Sequence, residues 1–249
     1  MELWIIIIIA FFVSLVFSMI GLGGALIYTP LFYWTGLPLL VAIPMALLLN
    51  AITTISASTT YLKQKLVETG IAYPVIATAI PGALAGSYLA RRVDADFLIL
   101  LLSVILVLAS IRMLFFSSIG YTVSMDEKGK TALGVVMGFL IGIASAMVGL
   151  GGGTFIVPLL LVMGYETKRT MATSSFIITY IALAGFVGHL SLGQQELDIT
   201  MLLFAGAAAF AGAQIGSRLI FNRTSSRTIE RIFAIVLLLI VIKLLYGLI

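Results

Sequence analysis

Two glycine-rich loops carry the clearest chemical potential in this chain. Gly21-Leu22-Gly23-Gly24 and Gly149-Leu150-Gly151-Gly152-Gly153 each lie between a long apolar segment and a short one that contains proline. Glycine permits an unwound backbone and removes side-chain bulk at such a break. The short helix that follows presents free N–H groups and the positive end of its dipole, which favour an anion. We predict that Gly21, Gly23, Gly24, Gly149, Gly151, Gly152 and Gly153 bind substrate; close packing of helices through small residues is the alternative.

Neutral polar side chains in two long apolar segments are the second candidate lining. Asn50 and Thr53 lie in one segment, and Ser174 and Ser175 lie in another. Amides and hydroxyls donate hydrogen bonds to an oxyanion without bringing a competing charge. Ser and Thr also satisfy carbonyls of their own helices, so each single residue has a structural explanation as well. We predict that these four residues bind substrate.

The missing charges narrow the class of substrate. No Asp or Glu lies clearly within any long apolar segment. Cation transporters and proton relays usually need an intramembrane carboxylate, which is costly to bury and is kept for function. The pattern therefore favours an anion or a neutral solute. Because the chain has no cysteine, disulfides and cysteine-ligated metals are excluded, and the sequence predicts neither a metal site nor a cofactor.

The composition shows what surrounds these residues. The chain of 249 residues is 61% hydrophobic and 10% charged, with a mean hydropathy of +1.22, whereas a soluble domain needs far more polar surface. Charges, prolines and glycines divide it into ten apolar segments, eight of them long enough to cross ~30 Å of hydrocarbon. Each must be helical in lipid, where no water satisfies the backbone. The segments are 3–20, 25–36, 39–62, 71–90, 97–116, 131–148, 154–164, 170–190, 199–221 and 229–248.

The segments form two homologous halves of five. The glycine loops recur at an offset of 128 residues, and Pro30 matches Pro158 at the same offset. A second motif, Gly82-Ala83-Leu84-Ala85-Gly86-Ser87, recurs as Gly212-Ala213-Gln214-Ile215-Gly216-Ser217 at an offset of 130. We predict an all-α integral membrane protein of eight long helices and two short half-helices. Its parts are an N-terminal membrane repeat at 1–116, a polar linker at 117–130 and a C-terminal membrane repeat at 131–249.

The second motif has both packing and polar members. Its glycines, together with Gly134, Gly138 and Gly142, are predicted to allow close helix crossing. Gln214 is predicted to bind substrate, because it is polar where the first half has Leu84. His189 is the only histidine and is a candidate for proton coupling, with a polar helix end as the alternative.

The distribution of Lys and Arg favours inverted repeats. If the short segments cross, each half has five crossings and the repeats are inverted; if they are re-entrant, each half has four and the repeats are parallel. Ten crossings with an outside N-terminus put eleven of the 14 cations inside, against eight for eight crossings. The eleven are Lys63, Lys65, Arg112, Lys128, Lys130, Lys168, Arg169, Arg218, Arg223, Arg227 and Arg231. We predict inverted repeats with both termini outside, although the pair Arg91-Arg92 then lies on the wrong side.

These motifs resemble the TauE/SafE sulfite exporter family, also called the toluene-sulfonate uptake permease family. The likeness rests on the two glycine loops with Pro30 and Pro158 and on the paired Gly-Ala-x-x-Gly-Ser motifs, and it covers essentially the whole chain. It implies a multi-pass transporter of the plasma or inner membrane for small sulfur-containing anions such as sulfite, sulfoacetate or other organosulfonates. It does not select the substrate or the direction. The second half departs from the first in having Glu166 and Ala172 where Pro38 and Pro44 stand, so the two gates need not behave alike.

The leading hypothesis is a secondary transporter and not an enzyme, with alternating access to a site between the loops. No P-loop is present, so a gradient or the membrane potential must drive it. The predicted partners are a small anion and the lipid bilayer. No nucleic acid is predicted, because the net charge of +4 is explained by the uneven distribution of Lys and Arg between the loops on the two sides of the membrane. A homo-oligomer is left open. The alternatives are a cation, metal or other solute transporter, an intramembrane hydrolase with His189 as base, and a membrane scaffold.

Overall fold

The chain is all-helical wherever its regular elements are described. A computed structural model describes residues 3–115, 125–191, 199–219, 234, 235 and 237–244. The helices are α1 Leu3–Ile20, α2 Ala25–Trp34, α3 Leu39–Lys63, α4 Thr69–Ala90, α5 Ala95–Phe115, α6 Glu127–Val148, α7 Gly153–Val162, α8 Thr167–Ser191 and α9 Ile199–Leu219. Residues 234, 235 and 237–244, within the tenth predicted segment, are also helical. The predicted all-α fold is confirmed. Linker residues 117–124 and the cations Arg223, Arg227 and Arg231 lie outside the described residues.

Helix length separates two classes of element. α2 and α7 have 10 residues each, which is about 15 Å at the rise of an α-helix and half the thickness of the hydrocarbon. In the described part of the chain, six helices are long and apolar enough to cross a membrane, namely α1, α3, α4, α6, α8 and α9, while the apolar stretch Ala95–Ile111 of α5 is shorter. The chain is a multi-pass integral membrane protein.

The helices pack as two bundles, each of which combines both halves of the sequence. One hydrophobic core takes most of its residues from α1, α2, α3, α5, α9 and the helical residues 234–244 that are described, with a few from the other helices, and α4, α6, α7 and α8 build a second. α4 packs along α6 and α8, whereas α9 packs along α1 and α3. Because α1–α4 correspond to α6–α9 in the repeat, the fourth helix of each repeat has joined the other bundle. α3 and α8 cross where the bundles meet.

Glycines make the closest of these helix crossings. A Cβ added to any of four glycines would overlap a backbone carbonyl oxygen of the neighbouring helix. The pairs are Gly82 with Phe139, Gly86 with Ile143, Gly212 with Phe11 and Gly216 with Leu15. On α6, Gly138 and Gly142 approach carbonyl oxygens of α4 in the same way, and Gly134 meets side chains of α4. The predicted role of these glycines in close helix crossing is confirmed.

The two arginines that run against the predicted orientation have local partners. Arg91 donates from Nη2 to the carbonyl oxygen of His189 near the end of α8, over 2.9 Å. The Arg92 guanidinium lies 4.5 Å from the centroid of the Tyr88 ring. These contacts give the pair a role in holding α4, and the inverted orientation stays a prediction.

Candidate functional site

The two glycine loops lie side by side in the interior, next to α3 and α8. All residues from Gly21 to Gly24 and from Gly149 to Gly153 are buried. A Cβ on Gly153 would overlap the carbonyl oxygen of Leu22 in the other loop, and one on Gly21 would lie 2.6 Å from the Cα of Met171 on α8. The approach of backbone to backbone leaves no room for a side chain at these positions.

The loops share a left-handed backbone and differ at the residue before the short helix. The φ angles are +71° at Gly21 and +70° at Gly23, and +75° and +70° at the repeat-related Gly149 and Gly151. A residue with a Cβ would be strained there. Gly152 also has a positive φ of +89°, whereas its counterpart Gly24 has −106°. The two short helices therefore begin with different geometry.

The side-chain amide of Asn50 lies between the two loops. A Cβ on Gly23 would overlap its Oδ1, and a Cβ on Gly151 would overlap its Nδ2. Oδ1 accepts hydrogen bonds from the backbone N–H groups of Gly24, at 2.7 Å, and Ala25, at 3.2 Å, and so caps α2. Two donors facing this atom fix it as the oxygen. Asn50 is 0% exposed, yet Nδ2 has no hydrogen-bond partner among the described residues.

A polar network supports the first loop from behind. The Tyr28 ring packs against Gly24, and its hydroxyl lies 2.6 Å from Ser14 Oγ and donates to the carbonyl oxygen of Ala10 at 3.1 Å. Ser14 Oγ also lies 2.9 Å from Thr53 Oγ1. Thr53, predicted to bind substrate, therefore lies one layer behind the loop, in a network that holds the start of α2.

The second loop has no such network in the described structure. Among the described residues, no side chain accepts a hydrogen bond from the first N–H groups of its short helix α7, whereas Asn50 does so for α2. Ser145 Oγ would lie 3.0 Å from a Cβ at Gly152. Two buried hydroxyls near this loop have no hydrogen-bond partner in the described part of the chain. They belong to Ser145, near the end of α6, and to Thr154, in the first turn of α7. Ile178, the repeat counterpart of Asn50, packs a methyl group beside this loop.

Each loop is bonded through one hydroxyl to the opposite half of the sequence. Ser174 on α8 donates to the carbonyl oxygen of Gly21 over 2.9 Å, and Thr29 on α2 donates to that of Gly149 over 2.8 Å. Ser175, next to Ser174, is buried and its hydroxyl is unpartnered among the residues described. The structure thus brings Asn50 and Ser174 to the predicted loops.

Gln214 is a predicted site residue that lies away from the loops. Its Nε2 donates to the carbonyl oxygen of Ser56 over 3.1 Å, at the contact of α9 with α3. Ser56 lies six residues from Asn50, about 9 Å along α3. The amide of Gln214 is occupied in joining two helices, which explains a polar residue there without a ligand.

His189 is fully buried between α8 and α6. Its Nε2 lies 2.8 Å from the carbonyl oxygen of Ala146, and because a carbonyl only accepts, this nitrogen carries the proton. Arg91, at the end of α4, also donates to the backbone carbonyl oxygen of His189, so these contacts hold the end of α8 to both α6 and α4. Proton coupling through His189 stays a prediction.

Several polar residues around the loops were missed in the sequence, although a signal was present. When the halves are aligned at the offset of 128, several polar residues of one half correspond to apolar residues of the other. The missed residues are Thr29, Tyr28, Ser145 and Thr154, which pair with Val157, Ile156, Phe17 and Leu26, and the predicted Asn50 pairs with Ile178. A position-by-position comparison of the repeats therefore identifies the residues in which the two loops differ.

Paired broken helices at matching repeat positions in a multi-pass membrane protein are typical of membrane transporters. A sequence model of the family described as "Sulfite exporter TauE/SafE" matches residues 6–244. The chain belongs to this family of membrane transporters, which confirms the resemblance noted from the glycine motifs.

The names of related proteins agree with this membership. The chain is 25% identical to "Probable membrane transporter protein YunE" of Bacillus subtilis, over 99% of this chain and 98% of that one. It is 29% identical to "Probable membrane transporter protein y4hK" of Sinorhizobium fredii, over 96% of each. It is 38% identical to "Sulfite exporter TauE/SafE family protein 6" of Arabidopsis thaliana over 74 residues, which are 30% of this chain and 17% of that one. No solved structure matches the chain.

Proposed function

We propose that this chain is a secondary transporter of the cell membrane for small sulfur-containing anions, such as sulfite, sulfoacetate or other organosulfonates. One observation carries the proposal. The buried amide of Asn50 lies between the repeat-related Gly23 and Gly151, and its N–H donor is unpartnered among the described residues. A buried donor without an acceptor is costly, so such a group in a membrane protein is a functional candidate.

The charge and polarity around the loops support an anion. The start of α7 supplies N–H groups and the positive end of a helix dipole, and the amide of Asn50 adds a donor beside Gly151. The nearby buried side chains Ser145, Thr154 and Ser175 are neutral hydroxyls, which donate to oxygen atoms. The family description and the names of the plant relatives refer to sulfite export.

Alternating access is the mechanism that we propose. The loops are buried, so substrate reaches them only after a movement opens one side. The site lies where the two bundles meet, and the bonds from Ser174 to Gly21 and from Thr29 to Gly149 join them. Rocking of one bundle against the other around these contacts would open the loops to each side in turn.

The membrane potential is sufficient to drive export. Moving a monovalent anion out of a negative-inside cell releases roughly 2.3 kcal/mol per 100 mV. Export therefore proceeds as a uniport under this proposal, whereas uptake needs a coupled cation or proton. The direction of net flux then follows from the gradients imposed on the purified protein.

Flux into proteoliposomes tests the proposal. Radiolabelled sulfite and a small sulfonate are offered under imposed voltage and pH gradients to the wild type, Gly151→Leu and Gly70→Leu. Gly70 is the matched control, because it lies in α4 and a Cβ added there would meet no atom within 4 Å. Saturable flux that is lost in Gly151→Leu and kept in Gly70→Leu is expected. Flux equal to that of empty liposomes for every anion, from wild-type protein that is correctly folded, would overturn the proposal.

A further inference from the structure

We infer that the two half-sites are chemically unequal, and that one small oxyanion binds per chain, at the start of α7 and on the amide nitrogen of Asn50. The start of α2 is closed to substrate by the same side chain. This inference rests on the proposed anion transport and adds which half-site holds the anion, how many bind and what excludes a second one.

The chemistry of a carboxamide explains the inequality. Asn50 has an acceptor end and a donor end. The acceptor, Oδ1, is used by the N–H groups of Gly24 and Ala25. The donor, Nδ2, lies against Gly151. A donor cannot satisfy the N–H groups at the start of α7, so the start of this helix and the amide nitrogen both present donors at the same place.

A second group at the same place also lacks a partner. Ser145 is 0% exposed, its hydroxyl is unpartnered among the described residues, and its Oγ would lie 3.0 Å from a Cβ at Gly152. Thr154, 7% exposed, adds an unpartnered hydroxyl in the first turn of α7. The counterparts of these two residues beside α2 are Phe17 and Leu26, which donate nothing.

The donors define the class of ligand. Amide N–H, hydroxyl and helix N-terminus all favour oxygen acceptors that carry negative charge. The ligand must be small, because the loop is packed so closely that a single Cβ at Gly151 would overlap the amide nitrogen. A compact oxyanion such as sulfite, or the sulfonate head of a larger molecule, satisfies both conditions. For a cation the acceptor of this amide is already in use, since Oδ1 of Asn50 bonds to two N–H groups at the start of α2.

Asn50→Asp separates the two ends of the side chain. One carboxylate oxygen can keep the cap on Gly24 and Ala25, while the other places an acceptor and a negative charge toward α7. We expect the melting temperature to be retained, sulfite uptake to be lost, and the Kd for sulfite to rise by about 100-fold, which corresponds to the loss of a hydrogen bond to a charged group together with like-charge repulsion. Binding is measured by titration calorimetry of the detergent-purified full chain at pH 8, with sulfite as the probe.

A second variant reaches the same half-site without touching Asn50. Ile178→Asn places an amide at the repeat-related position, where its oxygen can cap α7 as Asn50 caps α2. It is expected to raise the Kd for sulfite by at least about tenfold. Ile178→Leu is the matched control and keeps sulfite binding.

The outcomes separate this inference from the proposed function. One sulfite per wild-type chain, with binding weakened in Asn50→Asp and Ile178→Asn and kept in Ile178→Leu, supports the inference. Two sulfite ions per chain, or wild-type affinity in a folded Asn50→Asp, would overturn it and leave the transporter proposal standing. If the folded wild type neither binds nor moves sulfite or a sulfonate, the proposed function fails and takes the inference with it.

Discussion

The loop before α2 and the loop before α7 share a motif, two left-handed glycines and a place in the repeat, yet they differ in how their polar groups are satisfied. The first is capped by Asn50 and backed by Ser14, Tyr28 and Thr53. The second receives no counterpart of the Asn50 bonds among the described residues and lies beside the unpartnered hydroxyl of Ser145. Duplication has kept the backbone that both loops need, while the side chains have diverged into a supported loop and a loop with free donors.

The largest expected effect is a difference in stability between alanine variants of the two repeat-related glycines, Gly23 and Gly151. Gly23→Ala introduces strain at a φ of +70° and displaces Oδ1 of Asn50 from α2, so we expect a loss of about 3 kcal/mol. Gly151→Ala has the same strain but displaces a nitrogen that bonds to nothing in the described residues, so we expect about 1–2 kcal/mol. Unfolding in mixed micelles measures both, and equal losses would refute the inequality.

Tyr28→Phe tests the support of the first loop. The hydroxyl bonds to Ser14 and to the carbonyl oxygen of Ala10 in a buried place, so its loss is expected to cost about 1–2 kcal/mol. Uptake per folded molecule should keep its KM, because this network lies behind the loop. The exposed Tyr73 provides the control Tyr73→Phe, which should change neither quantity. A raised KM in Tyr28→Phe would show that the first loop also binds substrate.

Ser174→Ala and Thr29→Val test the bonds that join the loops to the opposite half. Each removes one hydrogen bond to a loop carbonyl, and such bonds in membrane proteins contribute about 0.6 kcal/mol on average. The double variant should lose the sum within about 0.5 kcal/mol, since the two bonds share no atom. A much larger loss in the double variant would show that the loops move as one unit.

Ser145→Ala is expected to have the smallest effect on stability and a clear one on transport. Its hydroxyl has no partner among the described residues, so removal should change the free energy of unfolding by less than about 0.5 kcal/mol. If the hydroxyl bonds the anion, the KM for sulfite should rise about tenfold. Ser14→Ala is expected to give the opposite result, a reduced free energy of unfolding and an unchanged KM for sulfite. The reverse pattern would exchange the roles of the loops.

The elements of this fold could be predicted because lipid restricts the choices. Apolar runs bounded by glycine, proline and charge must be helices, and the predicted segment 3–20 coincides with α1. The loops followed from glycines whose positions repeat. The motif around Gly82 predicted a close crossing, and the backbone approach to Phe139 is that crossing.

The rest required distances that a linear pattern does not contain. Long helices that are apolar on every face do not indicate which neighbour each one chooses, so the exchange of α4 and α9 was not foreseen. The orientation of the Asn50 amide depends on N–H groups 25 and 26 residues away. Gln214 was polar in a repeated motif, but its acceptor proved to be a carbonyl of α3.

The exchange of α4 and α9 between the bundles has a consequence for biosynthesis. When α4 leaves the ribosome, α6 has not been made, so the glycine face around Gly82 and Gly86 has no partner until the second half is inserted. A first half made alone therefore lacks a complete core. Two copies of such a half can complete each other by trading their fourth helices, and the present chain has the form of that dimer, fused into one polypeptide by the linker before α6.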